Sequence, residues 1–369
     1  MTLERLAVTC GGTGGHFYPG LSVAREFKSR GGEVLLLLSG VHAAEQKKVA
    51  ESFGIAAVAL PKMPDPKKSP LKFLWGLAGG FFAAVRELRK FDAQALLGMG
   101  SFATTPPVFA AVVLRIPLFL HDGNARIGKA NRIFSRFARK TGTAFPAVNL
   151  PSSRCPVLCT GMPVRPELRK MCGLTRNEAL KLLNERFRTA FVPELPVFLI
   201  TGGSQGAAIF NTVLPEVLNR REEKFQVIHL TGKGKMDDAL KGYGCAGIPK
   251  LILESCSEME LCLSAADLVF SRSGGSTAAE LALFGKSSVL IPYPYAAEGH
   301  QMDNARYFAG QNAAIVIENS AFNIEAAHEL LDDFFSNPEK WRKMGEAMGK
   351  MAIPAAAELM LSEISDSLD

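Results

Sequence analysis

The sequence contains no apolar run of the ~20 residues that a helix needs to cross a bilayer; Leu74–Val85 comes to twelve. It has no N-terminal apolar segment with a small-residue cleavage site either, since Met1-Thr-Leu-Glu-Arg5 carries an acid and leads straight into a strand pattern. Export through a conventional signal is therefore not expected. Cysteine is sparse: Cys10, Cys155, Cys159, Cys172, Cys245, Cys256 and Cys262 make an odd set of seven with no Cys-x-x-Cys pair, and no two histidines stand four apart. Free thiols in a reducing cytosol are expected rather than a disulfide framework or a structural zinc, and no cysteine sits in an activating motif. Short-period repeats and low-complexity tails are missing as well. What remains, 47% hydrophobic and 21% charged residues over 369 positions, is the composition of a folded chain. That length exceeds what one hydrophobic core usually organises, so two domains are expected.

Two glycine-rich loops stand half a chain apart. Leu6–Cys10 runs into Gly11-Gly-Thr-Gly-Gly-His16, and Val197–Thr201 runs into Gly202-Gly-Ser-Gln-Gly206. A strand that ends in such a turn and then opens a helix aims unpaired backbone N–H groups at an anion, with the helix dipole adding to the attraction. After the first loop, Pro19 suits a first helical turn; Leu21, Ala24 and Phe27 follow at helical spacing until Gly31-Gly32, and Val34–Leu38 reads as a buried parallel strand. Further strands are expected at Ala57–Leu60, Ala95–Leu97 and Leu118–His121, and a second set at Gln226–Leu230, Leu251–Leu253, Leu268–Phe270, Val289–Ile291 and Ala314–Ile317. Such alternation predicts doubly wound parallel sheets, α/β in class. The segment Leu150–Val157 and the following Thr160–Arg165 predict a hinge, and a cleft between the two domains is the expected ligand site.

The net charge of +6 is concentrated. Lys62, Lys67, Lys68, Lys72, Arg86, Arg89 and Lys90 face only Asp65 and Glu87 within Lys62–Lys90, the stretch that also holds the apolar Leu74–Val85. Two readings stand: a surface that docks on anionic lipid, or a buried helix with solvated lysines at its end. Arg126–Lys140 predicts a basic helix packed on the core through Ala130, Ile133, Phe134, Phe137 and Ala138. No nucleic-acid partner is expected.

Generic nucleotide motifs fail. The dinucleotide pattern aligned from Gly12 lacks its third glycine at Phe17, and no Gly-Lys-Ser/Thr follows either loop. A nicotinamide enzyme and a P-loop NTPase are both disfavoured.

Six segments in order, Gly11–His16 with Pro19-Gly20, His121-x-x-Asn124, Pro163-Val-Arg165, Gly202–Ala207, Arg272-Ser-Gly274 with Glu280, and His300-Gln301-x-x-Asn304-Ala305, resemble the MurG family of bacterial glycosyltransferases. The resemblance implies a GT-B fold of two Rossmann-like domains: residues 1–162 facing acceptor and membrane, residues 163–340 binding UDP-GlcNAc, and a helix within 341–369 returning to the first. It implies an inverting transfer of GlcNAc from UDP-GlcNAc to the C4 hydroxyl of MurNAc in undecaprenyl-diphosphoryl-MurNAc-pentapeptide (lipid I), at the cytoplasmic face of the cell membrane, with no metal and no cofactor. The sequence has no obvious Asp-x-Asp motif.

The same resemblance assigns the site. His16 is a candidate base for the acceptor hydroxyl or a phosphate contact, and near neutral pH an imidazole suits proton transfer; the alternative is a histidine that only ties its own loop. Thr13, Gly14 and Gly15 bring backbone donors to the donor sugar or a diphosphate. Asn124 would bond sugar or phosphate, the alternative being a turn asparagine, while Asp122 carries no role. Ser101-Phe102 stands where the family has Gly-Tyr, in the loop Gly98–Phe102 beside the acceptor diphosphate. Arg165 would clamp a phosphate, and Ser204 would hold the UDP phosphates. Gly275, Ser276, Thr277, Ala278 and Ala279 lead to Glu280, whose carboxylate would accept both ribose hydroxyls; Thr277 and Glu280 also satisfy a capping box. Cys256 falls beside the uracil, and His300 and Gln301 by the GlcNAc hydroxyls. Another GT-B transferase, a UDP-GlcNAc epimerase, and a non-catalytic nucleotide-sugar sensor are the alternatives.

Overall fold

The computed structural model describes residues 2–62, 69–152, 155–203, 205–244 and 247–368. Ser204, Asp65, Lys67, Lys68 and Cys245 lie outside the described residues. The chain divides into two compact units, Met1–Arg165 with Ile353–Asp369, and Pro166–Ala352. The boundaries thus fall after Arg165 and Ala352 rather than after 162 and 340.

In the first unit seven strands, β1 (Arg5–Gly11), β2 (Glu33–Ser39), β3 (Ala56–Ala59), β4 (Ala95–Gly98), β5 (Leu118–Asp122), β6 (Lys140–Thr143) and β7 (Val157–Cys159), form one sheet in the order β3-β2-β1-β4-β5-β6-β7. Every neighbouring pair is parallel. Successive strand residues go to opposite faces: Leu6, Val8 and Cys10 pack with Phe17 and Leu21, while Ala7 and Leu37 pack with Ala84 and Leu88. Both faces are covered, which is why these strands read as unbroken apolar runs.

The second unit repeats the design with six strands, β8 (Val197–Thr201), β9 (Gln226–Leu230), β10 (Lys250–Leu253), β11 (Leu268–Ser271), β12 (Ser288–Leu290) and β13 (Ile315–Val316), in the order β10-β9-β8-β11-β12-β13. In each sheet the winding reverses beside the first strand, between β1 and β4 and between β8 and β11. Ligands of doubly wound sheets bind at the carboxyl ends of the strands flanking such a reversal. Both glycine loops stand there.

Four expectations are corrected. The segment before Val157 leads into an edge strand, β7, paired with β6, so it is not a free hinge. Arg126–Lys140 holds only the short helix Lys129–Phe134, a 3-10 turn Ser135–Phe137, and then β6; Ile127, Asn131 and Ser135 are buried, whereas Ile133 and Phe137 are exposed. Phe134 and Ala138 do pack against the core as expected, but hydrogen bonds made by Asn131 hold the helix as well, so apolar periodicity placed Ile133 and Phe137 on the wrong face. Pro19 lies inside the helix Gly14–Ser29 because the glycine loop itself winds into the first turn. The C-terminal stretch is two helices, Pro338–Lys350 and Ala356–Ser365, parted at Pro354, which has no N–H to continue the first. Ala357, Met360, Leu361 and Ile364 of the second helix are buried in the core of the first unit.

Candidate active site

In the first unit three strand ends meet. Gly11, at φ +133°, ends β1 so close to β2 that a Cβ there would lie 2.3 Å from the Ser39 carbonyl oxygen; only glycine permits this approach. The helix Gly14–Ser29 begins at once, with Thr13 as its N-cap, no capping side chain and no acid in its first turn. Its first N–H groups are therefore unclaimed by a side chain and carry the positive end of the helix dipole.

His16, in that first turn, is half-buried, and its Nδ1 lies 3.0 Å from the Met99 carbonyl oxygen after β4. A carbonyl only accepts, so Nδ1 carries the proton and Nε2 holds the lone pair of the neutral ring. The Gly98–Phe102 loop follows. A Cβ on Gly100 would stand 3.7 Å from His16 Cε1 and 3.4 Å from the His121 carbonyl oxygen. Ser101 adopts φ +73°, a conformation that favours the glycine found there in the family; its Oγ accepts from the Ala103 N–H at 3.3 Å.

Asp122, given no role by its sequence, is the organiser of the third strand end. Buried at the tip of β5, its Oδ2 accepts from Gly128 N at 2.8 Å and Asn131 Nδ2 at 2.9 Å, and its Oδ1 from Asn124 Nδ2 at 3.4 Å. Asn131 Nδ2 also donates to the His121 carbonyl at 3.1 Å. His121 is fully buried; burial lowers its pKa, with nearby His16 adding to the effect, although its bond to the Gly161 carbonyl at 2.8 Å and Asp122 oppose the shift. The Asn124 loop lies against the first loop, a Cβ on Gly123 being 4.0 Å from the Gly15 carbonyl oxygen. The Arg165 guanidinium stands 5.5 Å over the Tyr18 ring. Thus Thr13, Gly14, Gly15, His16 and Asn124 are brought together.

In the second unit the loop after β8 is wedged against the turn after β9. A Cβ on Gly206, at φ +65°, would fall 2.1 Å from the Thr231 carbonyl oxygen. Lys235 Nζ holds the Gln205 carbonyl at 2.7 Å, and Glu254 Oε1 accepts from Gly234 N at 2.6 Å. Behind the turn, Asn211 Nδ2 donates to the Thr231 carbonyl at 3.1 Å while its Oδ1 faces His229 Nε2 at 3.0 Å; His229 Nδ1 lies 3.0 Å from the Tyr243 hydroxyl. Asn211 thereby fixes His229 as the Nε2–H tautomer, with Nδ1 accepting from Tyr243. Burial lowers the His229 pKa to about 3. As pH falls below the unfolded-state value near 6.5, the unfolded chain takes up a proton that the native chain refuses, so stability declines down to about pH 3. Thermal melts from pH 7 to pH 4 should show His229→Gln, which lacks this group, losing stability less steeply than wild type. Parallel slopes would remove His229 as a source of acid sensitivity.

The helix Gly275–Leu283 begins after Gly274, again with no capping side chain and no acid in its first turn. Gly274, not Thr277, is its N-cap; the capping box is excluded, and Glu280 lies beyond the first turn. The Ser276 Oγ is buried with no hydrogen-bond partner. Gln301 stands beside this N-terminus: its Nε2 would be 3.9 Å from a Cβ on Gly274, its Oε1 accepts from Tyr293 N at 2.9 Å, and its carbonyl accepts from Ser273 Oγ at 2.8 Å. His300 opens the next helix, with Nδ1 donating to the Ala297 carbonyl at 2.8 Å. Arg272, unassigned by sequence, braces the loop through the Ile291 carbonyl at 2.9 Å and Asn319 Oδ1 at 2.8 Å. Gly275, Ser276, Thr277, Ala278 and Gln301 are thus assembled around one helix N-terminus, with Ala279 and Glu280 farther along the same helix. Cys256 lies after β10, half-buried, accepting from the Cys262 thiol at 3.7 Å.

Two family descriptions match: the glycosyltransferase family 28 N-terminal domain over residues 6–143 and the C-terminal domain over residues 197–360. A relative from Desulforamulus reducens, the UDP-N-acetylglucosamine–N-acetylmuramyl-(pentapeptide) pyrophosphoryl-undecaprenol N-acetylglucosamine transferase, is 32% identical over 364 residues, 95% of each chain. The chain belongs to the MurG family. A relative of the same description from Nitrosomonas europaea is 31% identical, again over 95% of both chains. Among solved structures, Acinetobacter baumannii MurG superposes with a TM-score of 0.77 at 24% identity, covering 98% of this chain and 99% of that one. The UDP-GlcNAc 2-epimerase of Neisseria meningitidis bound to UDP-GlcNAc gives 0.68 at 14% identity, over 98% and 99%. These likenesses carry the GT-B fold; the family rests on the sequence relatives.

The basic stretch holds a helix with two different faces. Leu74–Val85 lies in the helix Pro70–Phe91, on which Leu74, Trp75 and Phe82 are 57%, 80% and 68% exposed. Phe102 stacks on Phe73 at 5.7 Å and is itself exposed, as is Phe109 of the neighbouring helix Thr105–Leu114. The helix therefore has a buried face, through Ala84 and Leu88, and an exposed apolar one. Lys62, Arg86, Arg89 and Lys90 are exposed. Among the described residues no helix is long and apolar enough to cross a membrane.

Proposed function

We infer that the protein transfers GlcNAc from UDP-GlcNAc to lipid I in peptidoglycan synthesis. The observation that carries this reading is the near full-length relationship to the N-acetylglucosamine transferases, together with two uncapped helix N-termini at the carboxyl ends of parallel sheets. The acceptor C4 hydroxyl attacks the anomeric carbon from the face opposite UDP; the new C–O bond forms as the bond to the diphosphate breaks, and the configuration inverts. His16 takes the hydroxyl proton on Nε2, its ring held by the Met99 carbonyl. Asn124 orients sugar or phosphate, steadied by Asp122. The first-turn N–H groups beyond Thr13, through Gly14 and Gly15, receive a diphosphate, with Arg165 as an additional cation. On the donor side Ser204 and the N–H groups of Gly275, Ser276 and Thr277 hold the UDP phosphates, the buried Ala278 packs the helix inward, Ala279 keeps its surface low, and Glu280 accepts the ribose hydroxyls. Cys256 flanks the uracil, and Gln301 with His300 reads the GlcNAc hydroxyls. Transfer of labelled GlcNAc to a short-chain lipid I analogue tests the reading, with UDP-GlcNAc alone as the epimerase control. Tight UDP-GlcNAc binding with no transfer to the analogue would overturn it.

Membrane docking belongs to the same reading. An exposed tryptophan and three exposed phenylalanines beside basic residues favour the headgroup region of an anionic leaflet, the cytoplasmic one for a peripheral enzyme that meets a lipid-linked acceptor. Vesicles containing phosphatidylglycerol should bind the protein, Trp75→Ser should weaken binding, and raising salt from 0.05 M to 0.5 M, roughly a threefold shorter screening length, should release it. Equal binding to neutral phosphatidylcholine vesicles would remove the electrostatic share.

A further inference from the structure

Cys256 and Cys262 are far from a Cys-x-x-Cys spacing, yet the fold puts their sulfurs 3.7 Å apart. Cys262 is buried on the helix Met259–Ala265, whereas Cys256 is half-buried in the irregular segment between β10 and that helix, with exposed Ser255 and Ser257 on either side. The pair is polarised. Cys262 donates to Cys256, which lowers the Cys256 pKa below the ordinary thiol value, with the Glu258 backbone helping; the same bond and burial raise Cys262 well above it. One thiol is thus the more acidic and accessible nucleophile, and the other waits behind it as the resolving group. No other described cysteine has another sulfur as its hydrogen-bond partner: Cys155 pairs with Thr141 and Pro156, Cys159 with the Ala144 carbonyl, and Cys172 with the Arg169 carbonyl. Closing a bond requires the sulfurs to approach to about 2.05 Å; Cys256 lies in neither strand nor helix, so its segment can supply that movement while Cys262 stays in its helix.

We propose that Cys256 and Cys262 form a peroxide-sensitive dithiol that closes to an intramolecular disulfide and lowers affinity for the donor nucleotide. The Cys256 thiolate attacks one oxygen of hydrogen peroxide and the O–O bond breaks; the departing hydroxide takes a proton and leaves as water, giving a sulfenic acid. Cys262, as it loses its proton, attacks that sulfur and displaces hydroxide, which leaves as the second water. Two thiols are oxidised by two electrons in all, and one peroxide is reduced to two waters. A dithiol reductant reverses the bond by exchange. The chemistry rests on the sulfur geometry alone; the effect on affinity rests on the reading above that Cys256 flanks the uracil.

The full-length protein is exposed to stoichiometric hydrogen peroxide, remaining thiols are blocked with N-ethylmaleimide, and peptides are mapped by mass spectrometry. A Cys256–Cys262 disulfide is expected, absent in Cys262→Ala and reversed by dithiothreitol. Absence of that cross-link in the wild type, or a cross-link elsewhere, overturns the proposal. Transfer kinetics then compare reduced and oxidised protein: the KM for UDP-GlcNAc should rise about tenfold, as for the loss of a contact worth one decade in affinity, with kcat little changed. Cys262→Ala should keep its reduced-state KM after peroxide. A mapped disulfide with unchanged KM overturns the regulatory claim and the uracil placement together. Because the cross-link is read by mass, it stands or falls separately from whether the reduced protein transfers GlcNAc to lipid I.

Discussion

His16→Ala is expected to lower kcat for GlcNAc transfer by about 10²–10⁴-fold, the usual contribution of a positioned general base, while leaving the KM for UDP-GlcNAc nearly unchanged. The expectation comes from the ring's orientation. With Nδ1–H committed to the Met99 carbonyl, Nε2 holds the lone pair, and the whole group rides on the first turn of the helix Gly14–Ser29. His16→Gln separates proton transfer from support of the loop. Glutamine retains a donor for the Met99 carbonyl but is no base, so it should be as slow as alanine if His16 moves a proton. If glutamine restores most of the rate, His16 only ties the Gly98–Phe102 loop to the first glycine loop, and the base lies elsewhere.

Glu280→Ala is expected to raise the KM for UDP-GlcNAc by about 10²-fold, since two hydrogen bonds to a carboxylate contribute on the order of 3 kcal/mol or more together. The fold should survive, because the helix Gly275–Leu283 takes its N-cap from Gly274 and Glu280 is only partly buried. Calorimetry with UDP and with 2′-deoxy-UDP makes the test specific: the wild type should lose affinity for the deoxy ligand and the variant should not distinguish the two. Wild-type affinity for UDP in Glu280→Ala would remove the ribose role.

The parallel sheets were legible because their strands are buried on both faces and carry long apolar runs. Val197–Thr201 and Gln226–Leu230 match their expected bounds. Strands β6 and β7 were not, because Lys140–Thr143 is mostly polar and Val157–Cys159 is a three-residue edge strand after a proline-rich segment. The glycine loops announced themselves through residues that only φ above zero or close backbone approach explains, Gly11 and Gly206 above all. Side-chain scaffolding left no such trace. Asp122 acts through partners at 124, 128 and 131, and Arg272 through partners at 291, 292 and 319; hydrogen bonds of that reach have no period in the sequence. Cys256 and Cys262 became neighbours only because a helix begins at Met259 and turns the second sulfur back toward the first.

The second unit is one unbroken stretch of chain, while the first is completed only by residues 353–369. During synthesis, Pro166–Ala352 can therefore finish folding while the first sheet still lacks Ala357, Met360, Leu361 and Ile364, leaving an apolar face uncovered on the nascent chain until the last helix emerges. An interruption of translation late in the message yields a chain whose second unit is finished and whose first is unsealed, a species open to chaperones and proteases.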